Sequence, residues 1–438
     1  MTERHERKRT LWLAPAAIAV ALVWGFFQDP TGAVGRIDLA PTYIAARLYA
    51  TGNTGAIYAN TPYGFDRSEH WIALENETPR SAFGTVFAYC PAYLWLFVPI
   101  AQGLSLDALT LAVVVANWML IGLFFLYLAR IGRTPFEQAA IVLGGMLSTC
   151  AANGVQLGQN VAPLLVAAFV YARSCQSGNR IVAVISFLAA NMLKPWAGVL
   201  ILLPLMRREW KLAGLLLGSL ALFCGLQFVI DPGAFIDYVR ITLEHSRISI
   251  LANNNFSLAA GLQRLYTQNW YLYADWTGAP PEPLPMKVLR FGAAAAVVFV
   301  CFRAKVNWNV CLQACLFSAF LIMNVFWDHY SLLFLPFFFE RLLQIRQERK
   351  PLAVTALAGV LVFFVPYGIA YSLLSTLAAS YNVTLLAYAA ALLSMLPAVC
   401  FGSGLLSAFK NQDGLRILAA RSDTASAAQG PDPAVLSA

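Results

Sequence analysis

Long runs of apolar residues recur along the whole chain, and short polar connections separate them. A helix needs about 20 apolar residues to cross the hydrocarbon core of a bilayer. Because lipid offers no hydrogen bonds to the backbone, only helices and closed barrels can span it. Hydrophobic residues make up 59% of the 438 residues and charged residues only 12%, against about 25% charged residues in a soluble domain. We therefore predict an all-α polytopic membrane protein.

The apolar runs predict about twelve transmembrane helices. The predicted spans are residues 11–27, 87–104, 107–129, 135–152, 155–173, 180–206, 210–230, 286–303, 308–326, 330–345, 352–373 and 382–404. Two connections, residues 28–86 and 231–285, are too long and too polar to be turns, and we expect them to carry short amphipathic helices. Residues 1–410 then form one transmembrane domain. Residues 411–438, rich in Ala, Ser, Asp and Pro, predict a disordered cytoplasmic tail.

Basic residues cluster in short segments, namely Arg4–Arg9, Arg207–Lys211 and Arg341–Lys350. Such clusters favour the cytoplasmic side of a membrane, so the net charge of +8 indicates orientation rather than nucleic-acid binding. The length of the first apolar run and the membrane protein that follows it favour an uncleaved first span over a cleaved signal peptide, and its basic flank would hold the start in the cytoplasm. Both long loops and the turn Trp327–Tyr330 are then predicted to face outward.

One region does not fit this topology. Arg130 and Arg133 would lie outside, against the positive-inside rule. A break of the 180–206 segment at its Lys-Pro pair, into two half-helices, would change the orientation of the third to fifth spans. The 87–104 segment would then have to re-enter or lie flat. The sequence leaves both topologies open.

A single carboxylate, Asp38, stands in the stretch GRIDLAPTYIAARLYATG that follows the first span. An amphipathic surface helix is predicted from about Pro41, with Tyr43 on its apolar face and Arg47 outward. Asp38 would lie near the positive end of that helix, where a carboxylate is stabilised. Two interpretations stay open: Asp38 caps the helix, or it is a general base at the membrane–water interface.

Polar residues inside apolar runs are further candidates, because an ionisable group within the bilayer is costly. Lys194, in AANMLKPWAGVL, either holds a phosphate or extends its ammonium to an interface. The segment GVQLGQN provides the amides of Gln156, Gln159 and Asn160. These amides suit sugar hydroxyls or hydrogen bonds between helices.

Two outer segments carry the remaining candidates. In NVFWDHY, Asp328 and His329 either orient a substrate and share a proton or are structural. In the second long loop, His245, Arg247 and Arg264 are cations for an anionic headgroup, or solvated surface charges. Three asparagines ending at Asn255 are predicted to open the helix that carries Arg264.

No metal or cofactor is predicted. All eight cysteines lie in or beside apolar runs, without the spacing of a zinc site or a disulfide framework. They are interpreted as small core residues. Walker, dinucleotide-binding, HExxH and GxSxG motifs are absent from the sequence.

Six segments together resemble glycosyltransferase family 87 of the GT-C superfamily. They are IDLAPTYIAARLYATGN, FAYCPAYLWLFVPIA, GVQLGQN, AANMLKPWAGVLILLPLMRREW, NNNFSLAAGLQRL and FWDHYSLLFLPF. They run in order from about residue 35 to about residue 340. Cys90 stands where the family usually has proline. The resemblance implies a GT-C-type bundle and an inverting transfer of a polyprenyl-phosphate-linked sugar, with Asp38 as the base.

The implied donor sugar is mannose, with arabinofuranose also credible, and the acceptor is a lipid or a glycan. The implied place is the extracytoplasmic face of a bacterial inner membrane, in cell envelope biogenesis. A glycosyl phosphate carries its own leaving group, so the chemistry asks for no cofactor. The residues predicted to bind the donor phosphate are Lys194, Arg264 and Arg247, with His329 as a second catalytic group. The residues predicted to contact substrate are Tyr43, Gln159, Asn160, Asn255 and Asp328.

Two other classes remain possible on the sequence. One is a transporter or flippase of a lipid-linked sugar that uses Lys194 and His329 for coupling. Against it stand the two long outer loops and an acid placed in a loop, since coupling acids usually lie at the midplane. The other is a non-catalytic subunit of an envelope-assembly complex. The oligomeric state is not indicated by the sequence.

Overall fold

The computed structural model describes residues 38–58, 68–78, 87–246, 255–267, 282–347, 353–365 and 383–410. These residues form helices joined by turns, with one isolated antiparallel bridge between Asn255 and Trp327. The all-α prediction is confirmed for this part of the chain. The predicted first span, Arg247 and the predicted tail lie outside the described residues.

The α-helices are numbered in chain order within the described residues. They are α1 Leu39–Ala50, α2 Glu69–Glu77, α3 Pro91–Gly103, α4 Leu106–Leu128, α5 Pro135–Leu147, α6 Thr149–Gln156, α7 Val161–Ser177, α8 Arg180–Leu193, α9 Leu202–Met206, α10 Trp210–Ile230, α11 Pro232–His245, α12 Leu258–Thr267, α13 Leu284–Ala304, α14 Trp308–Ile322, α15 Leu335–Gln347, α16 Ala353–Phe364 and α17 Val383–Lys410. The 3₁₀ segments are Thr54–Ala56, Ala129–Ile131, Pro195–Ile201 and Asp328–Leu333.

Local sequence signals set where several helices begin. Ser105 caps α4 by accepting from the Ala108 N–H. Thr134 and Glu137 form a reciprocal capping box at α5, which starts with a proline. Each cap satisfies backbone donors that the first turn of a helix leaves without partners. Helices α4 and α5 therefore begin within a few residues of the predicted spans 107–129 and 135–152, because capping is a local property of the sequence.

Four helical stretches in the described residues are long and apolar enough to cross a membrane, judged by length and composition. They are Leu106–Ile131, Pro135–Gln156, Trp210–Ile230 and Leu284–Ala304. Shorter apolar helices accompany them, such as Arg180–Leu193 and Trp308–Ile322. The prediction of about twelve spans is therefore supported only in its coarser form, as a helical chain with several candidate spans.

Contacts at the two ends of Pro135–Gln156 decide the direction of the neighbouring helices. At the C-terminal end of this stretch, the Asp38 N–H donates to the carbonyl of Leu157 at 3.0 Å. At its start, Glu137 accepts from the Arg133 N–H at 2.6 Å and pairs with Arg346 at 3.0 Å. Asp38 and Arg133 thus lie at opposite ends of a helical pair that spans about 30 Å. The twelve-span topology, which put Arg133 on the same side as Asp38, is wrong at this point.

The 180–206 segment is broken, which is the second of the two topologies. Helix α8 ends at Leu193, and Pro195–Ile201 continues as a 3₁₀ helix. Arg180 and Glu209 line one cavity, so both outer limits of the segment lie at the same end of the bundle. Lys194 lies at the other end, where it reaches Gln159. The segment therefore crosses the bundle twice, because proline cannot continue the hydrogen-bond ladder of α8.

The changed direction of the neighbouring spans also determines where helix α3 begins and ends. Tyr89, just before α3, contacts Lys194 at the Asp38 end. Since α4 runs from Leu106 towards Ile131 at the opposite end, α4 also begins at the Asp38 end. Helix α3 thus starts and finishes at the same end, as a re-entrant or flat segment does. In the first turn of α3, the Ala92 N–H donates a hydrogen bond to the Gln227 side chain at 3.0 Å.

Helix α1 is not the surface helix that was predicted. Its residues from Leu39 to Ala46 are buried, and Arg47, Tyr49 and Ala50 are partly exposed. The helix packs along α3. The prediction failed because small residues such as Ala45 and Ala46 allow close packing, which the amphipathic pattern does not reveal.

Two buried apolar clusters make up the core. One joins α1, α2 and α3 with the start of α4 and with α11. The other, larger cluster joins the helices from the middle of α4 through α17, apart from α11. Leu193 packs against both clusters. The candidate site lies where the two clusters meet.

Candidate functional site

Asp38 directly precedes α1, yet its side chain does not cap that helix. Its carboxylate accepts a hydrogen bond from the Gln159 side-chain amide instead. Removal from water raises the pKa of the Asp38 carboxyl above 3.8, and Lys194, His329 and the Gln159 hydrogen bond act in the opposite direction and partly offset this rise. Asp38 lies outside the four candidate spans. The capping interpretation is therefore wrong, and the carboxylate faces polar groups of other helices.

Gln159 connects the acid to a cation. Its Nε2 donates to Asp38, and its Oε1 accepts from Lys194 Nζ at 3.1 Å. Gln159 is buried and lies in the turn between α6 and α7. A single amide thus places a carboxylate and an ammonium around one point without a direct bond between them.

Aromatic rings surround the Lys194 ammonium. It donates to the Tyr89 hydroxyl at 3.1 Å and lies 4.8 Å from the centre of the Tyr89 ring. The Tyr330 ring centre is 5.5 Å from the same nitrogen. Trp196 packs edge-on against Tyr330 at 5.5 Å. Cation–π contacts of this kind stabilise a cation removed from water.

Asp328 and His329 lie at the start of the 3₁₀ segment that follows α14. Asp328 accepts from the Asn153 side chain and, at 2.7 Å, from the His329 N–H. The His329 ring is buried, and its Nδ1 lies 3.6 Å from the Asp328 carboxylate. Gly154, next to Asn153, lies against the Cβ of His329. The structure therefore brings Asp38, Lys194 and His329 to one site, with Asp328 behind the imidazole.

Several buried polar atoms near this site have no hydrogen-bond partner within the described residues. They are Asn160 Nδ2, Trp196 Nε1, both ring nitrogens of His329 and Ser331 Oγ. Buried polar groups are normally hydrogen-bonded, so these atoms are available to a ligand rich in oxygen. A sugar and a phosphate both have that chemistry.

Asn255 holds the segment that leads into Asp328. Its Nδ2 donates to the Asn324 carbonyl at 3.1 Å, and its Oδ1 accepts from the Phe326 N–H at 2.9 Å. Ser257 is the residue that caps α12, by accepting from the Ala260 N–H at 3.1 Å. The predicted helix is thus present, and the observed contacts of Asn255 are structural. Its contact with substrate stays a prediction.

The other predicted residues are placed as follows. Arg264 lies on α12 and is fully buried, so the interpretation as a solvated charge is wrong for it. Tyr43 is buried within α1. Asn160 accepts from the Tyr93 hydroxyl at 3.1 Å, and Tyr93 stacks on Tyr89. The charged residues that act on the pKa of Asp38 are Lys194 and His329. The phosphate-binding role of Arg264 stays a prediction.

A buried ion pair was missed by the sequence analysis. Arg290 binds Glu282 through two nitrogens, one of them at 2.6 Å, and donates to the Asn324 side chain at 2.8 Å. The only sequence signal was an arginine inside the apolar run of α13. Tyr89, Asn153 and Trp196 were also missed as members of the site, because each looks like an ordinary residue of an apolar helix or its edge.

No group of three or more His, Cys, Asp or Glu side chains comes together among the described residues to ligate an ion. The prediction of a reaction without metal stays a prediction. Each described cysteine is a free thiol.

The fold and the site define a class. This is a helical membrane protein in which an acid, a lysine and a histidine meet at one end of the bundle, beside unpaired polar atoms that suit an oxygen-rich ligand.

A sequence model of glycosyltransferase family 87 matches residues 87–336, more than half of the chain. The chain belongs to glycosyltransferase family 87 and is a glycosyltransferase. Lys194, Gln159 and His329 lie within the matched residues, whereas Asp38 precedes them. No curated protein and no solved structure matched the chain.

Proposed function

We propose that this glycosyltransferase moves a sugar from a polyprenyl-phosphate donor to a hydroxyl of a lipid or glycan acceptor, with inversion and with Asp38 as the general base. The observation that carries the proposal is the bridge from Asp38 through Gln159 to Lys194. It places a base and a cation a few ångströms apart, as the two ends of a glycosyl transfer require.

The proton and bond changes follow from that arrangement. Asp38 takes the proton of the acceptor hydroxyl as its oxygen attacks the anomeric carbon. The bond from that carbon to the phosphate oxygen breaks, and polyprenyl phosphate leaves. Proton transfer by a placed base contributes typically about 10²- to 10⁴-fold. The raised pKa of Asp38 supports this role, since a more basic carboxylate removes a hydroxyl proton more readily.

The leaving phosphate gains negative charge, and positive groups stabilise it. Lys194 is the first of these in the proposal, with the unpaired His329 ring beside it. Arg264 and Arg247 would act on the donor from the second outer loop. The buried donors of Asn160 and Trp196 would bind sugar hydroxyls.

Inversion is favoured by the state of the second carboxylate. A retaining route needs a second acid as nucleophile, by analogy with glycosidases. Both oxygens of Asp328 already accept hydrogen bonds from the protein, from Asn153 and from the His329 N–H. Among the described residues of the site, Asp38 is then left as the acting acid, which fits direct displacement.

The proposed place is the extracytoplasmic face of a bacterial inner membrane. Arg133, Arg207, Lys305 and Arg346 gather at the end of the bundle opposite Asp38. The positive-inside rule assigns that end to the cytoplasm, which leaves the Asp38 end outside. The proposed sugar is mannose, with the acceptor a component of the cell envelope.

The test is transfer by the purified protein in liposomes that contain polyprenyl-phosphate-[¹⁴C]mannose and lipid extract as acceptor. The wild type should form a labelled product whose new bond has the anomeric configuration opposite to that of the donor. Asp38→Asn should abolish transfer, while Asp107→Asn, which changes an exposed acid at the start of α4, should leave it unchanged. Normal transfer by Asp38→Asn would remove Asp38 as the base. A product that keeps the donor configuration would exclude direct displacement, and a screen of other lipid-linked sugars covers the identity of the sugar.

A further inference from the structure

The Asp328 carboxylate is held from two sides before any substrate arrives. The Asn153 amide on α6 donates to Oδ2, and the His329 N–H donates to Oδ1 at 2.7 Å. Asn153 is 175 residues away from Asp328 in the chain, so only the packing of α6 against the 3₁₀ segment creates this contact. With both oxygens engaged, Asp328 has a fixed direction.

The His329 ring is oriented with its Nδ1 towards the Asp328 carboxylate. Nδ1 is 3.6 Å from Oδ1 of Asp328, slightly beyond hydrogen-bond distance, so a small rotation of the ring closes the bond. The side chain is 1% exposed, and neither ring nitrogen has a partner within the described residues. A buried imidazole with two unpaired nitrogens is costly unless a ligand completes it.

We propose that Asn153 and Asp328 are positioning residues that hold the His329 imidazole with Nδ1 towards the carboxylate and Nε2 towards the donor phosphate. The proposal rests on the proposed function, and it assigns Asp328 a role behind the histidine in place of the predicted contact with substrate. The free ring carries one proton, on Nδ1, and Nε2 takes up a second proton from water when the phosphate binds, because a protonated imidazole donates from both nitrogens. Nδ1–H then binds Asp328, and Nε2–H binds an oxygen of the leaving phosphate. Asn153 and Asp328 form and break no covalent bond.

Asn153 has a definite part in this arrangement. Without its amide, Oδ2 of Asp328 loses a donor, and the carboxylate can turn away from Nδ1. A histidine tautomer is set by the hydrogen bond that the other nitrogen makes. The ring of the free enzyme is therefore expected to carry its proton on Nδ1, and loss of either positioning residue should release that preference.

The experiment uses the full-length protein in detergent, with ¹⁵N-labelled histidine. The chain has four histidines, and His329→Gln identifies the signal of His329. The variants are Asn153→Leu, which has similar volume and no donor, and Asp328→Asn, which keeps the shape without the charge. Asn117→Leu removes a different buried amide, on α4, and serves as the matched control. Thermal unfolding is measured for each variant, and only variants that unfold cooperatively near the wild-type melting temperature are compared.

In the wild type and in Asn117→Leu, the ¹⁵N shifts should report the Nδ1–H tautomer. In Asn153→Leu and Asp328→Asn they should report a mixture of tautomers. Both variants should lose about 10- to 100-fold in kcat, which is typical of losing one hydrogen bond to a charged group. Their affinity for farnesyl phosphate, a short probe of the donor phosphate, should fall about fivefold or more.

Unchanged tautomer shifts in both variants, or turnover within twofold of the wild type, would overturn the positioning role. The outcome is separable from the proposed function. If Asp38→Asn is inactive while Asn153→Leu behaves as the wild type, only the positioning role fails. If Asp38→Asn transfers normally, the proposed function fails whatever the histidine signals show.

Discussion

Lys194 donates a hydrogen bond to Gln159 at 3.1 Å, although 35 residues separate the two in the chain. The other face of the same amide binds Asp38. Gln159 can do both because an amide carries a donor and an acceptor on one planar group. A carboxylate or an ammonium at this position would have satisfied only one of its two neighbours.

Asp38→Asn should lower activity and leave stability unchanged or raised. Because burial raises the pKa of Asp38 above 3.8, the folded state binds the Asp38 proton more tightly than the unfolded chain does. Ionised Asp38 therefore costs stability at pH values above its folded pKa, and that cost is absent below the unfolded pKa. The neutral asparagine removes the cost, while transfer should fall about 10²- to 10⁴-fold.

The test measures thermal unfolding and sugar transfer on the same protein preparation at about neutral pH. Asp107→Asn is the control for loss of an acid that is exposed. A large fall in melting temperature for Asp38→Asn, with no such fall for the control, would show that the carboxylate is needed for folding rather than for chemistry.

The pH dependence of transfer should show the same raised pKa. Only the ionised carboxylate accepts a proton, so kcat/KM should fall as the pH drops through the folded pKa of Asp38. The midpoint should lie above 3.8, the value of an ordinary aspartate. The measurement is kcat/KM against pH, limited to the range in which the protein remains folded. A midpoint at or below 3.8 would contradict the assignment of Asp38 as a buried base.

Gln159→Glu should move that acid limb to higher pH. A second carboxylate beside Asp38 disfavours its ionised form, so the pKa of Asp38 rises further. Gln159→Leu should remove both hydrogen bonds of the amide and lower kcat/KM about tenfold or more. Gln156→Leu, at the end of α6 in the same sequence segment, is the matched control. Equal losses in the Gln156 and Gln159 variants would indicate that the segment only holds helices together.

Gly154→Ala should disturb the site through packing. A Cβ at this position would overlap Val161 Cγ1 and come to 3.4 Å from the Cβ of His329. Overpacking of this kind costs typically about 1–3 kcal/mol, and the clash with Val161 lies next to His329, with which the new methyl group would itself be in ordinary van der Waals contact. Gly218→Ala, on α10, meets open space and should be neutral or slightly stabilising.

Adding Val161→Ala to Gly154→Ala tests the cause. The smaller side chain makes room for the new methyl group, so the double variant should recover much of the melting temperature and activity. If the double variant is no better than Gly154→Ala alone, the contact with Val161 is not the reason for the loss.

Local sequence properties predicted where helices begin and end, whereas contacts between distant residues did not follow from the sequence. The ends of α10 and α13 match the predicted spans to within two residues, because apolar length and helix starts are local properties. The break at the Lys194-Pro195 pair was also foreseen as one of two topologies. The sequence left open which way the spans around it run, because that direction depends on which helix ends meet in the folded chain.

The candidate site shows the same division. Asp38, Lys194 and His329 were found from the sequence because a charge or an imidazole beside apolar runs is unusual. Tyr89, Asn153 and Trp196 carry no such signal, since aromatic and amide residues are common at the edges of membrane helices. A solvated surface charge was one of the two interpretations of Arg264, which is buried instead, because the pattern of a short helix does not show what packs over it.

The sequence alone determined that the chain is a helical membrane protein, where most of its helices lie, and which ionisable residues stand out. These are consequences of composition and of periodicity over at most about 20 residues. The tertiary structure alone decided that an acid at position 38 meets an amide 121 residues away, and through it the lysine at position 194. Contacts over such separations depend on how the helices pack against each other, and local sequence patterns do not encode that packing.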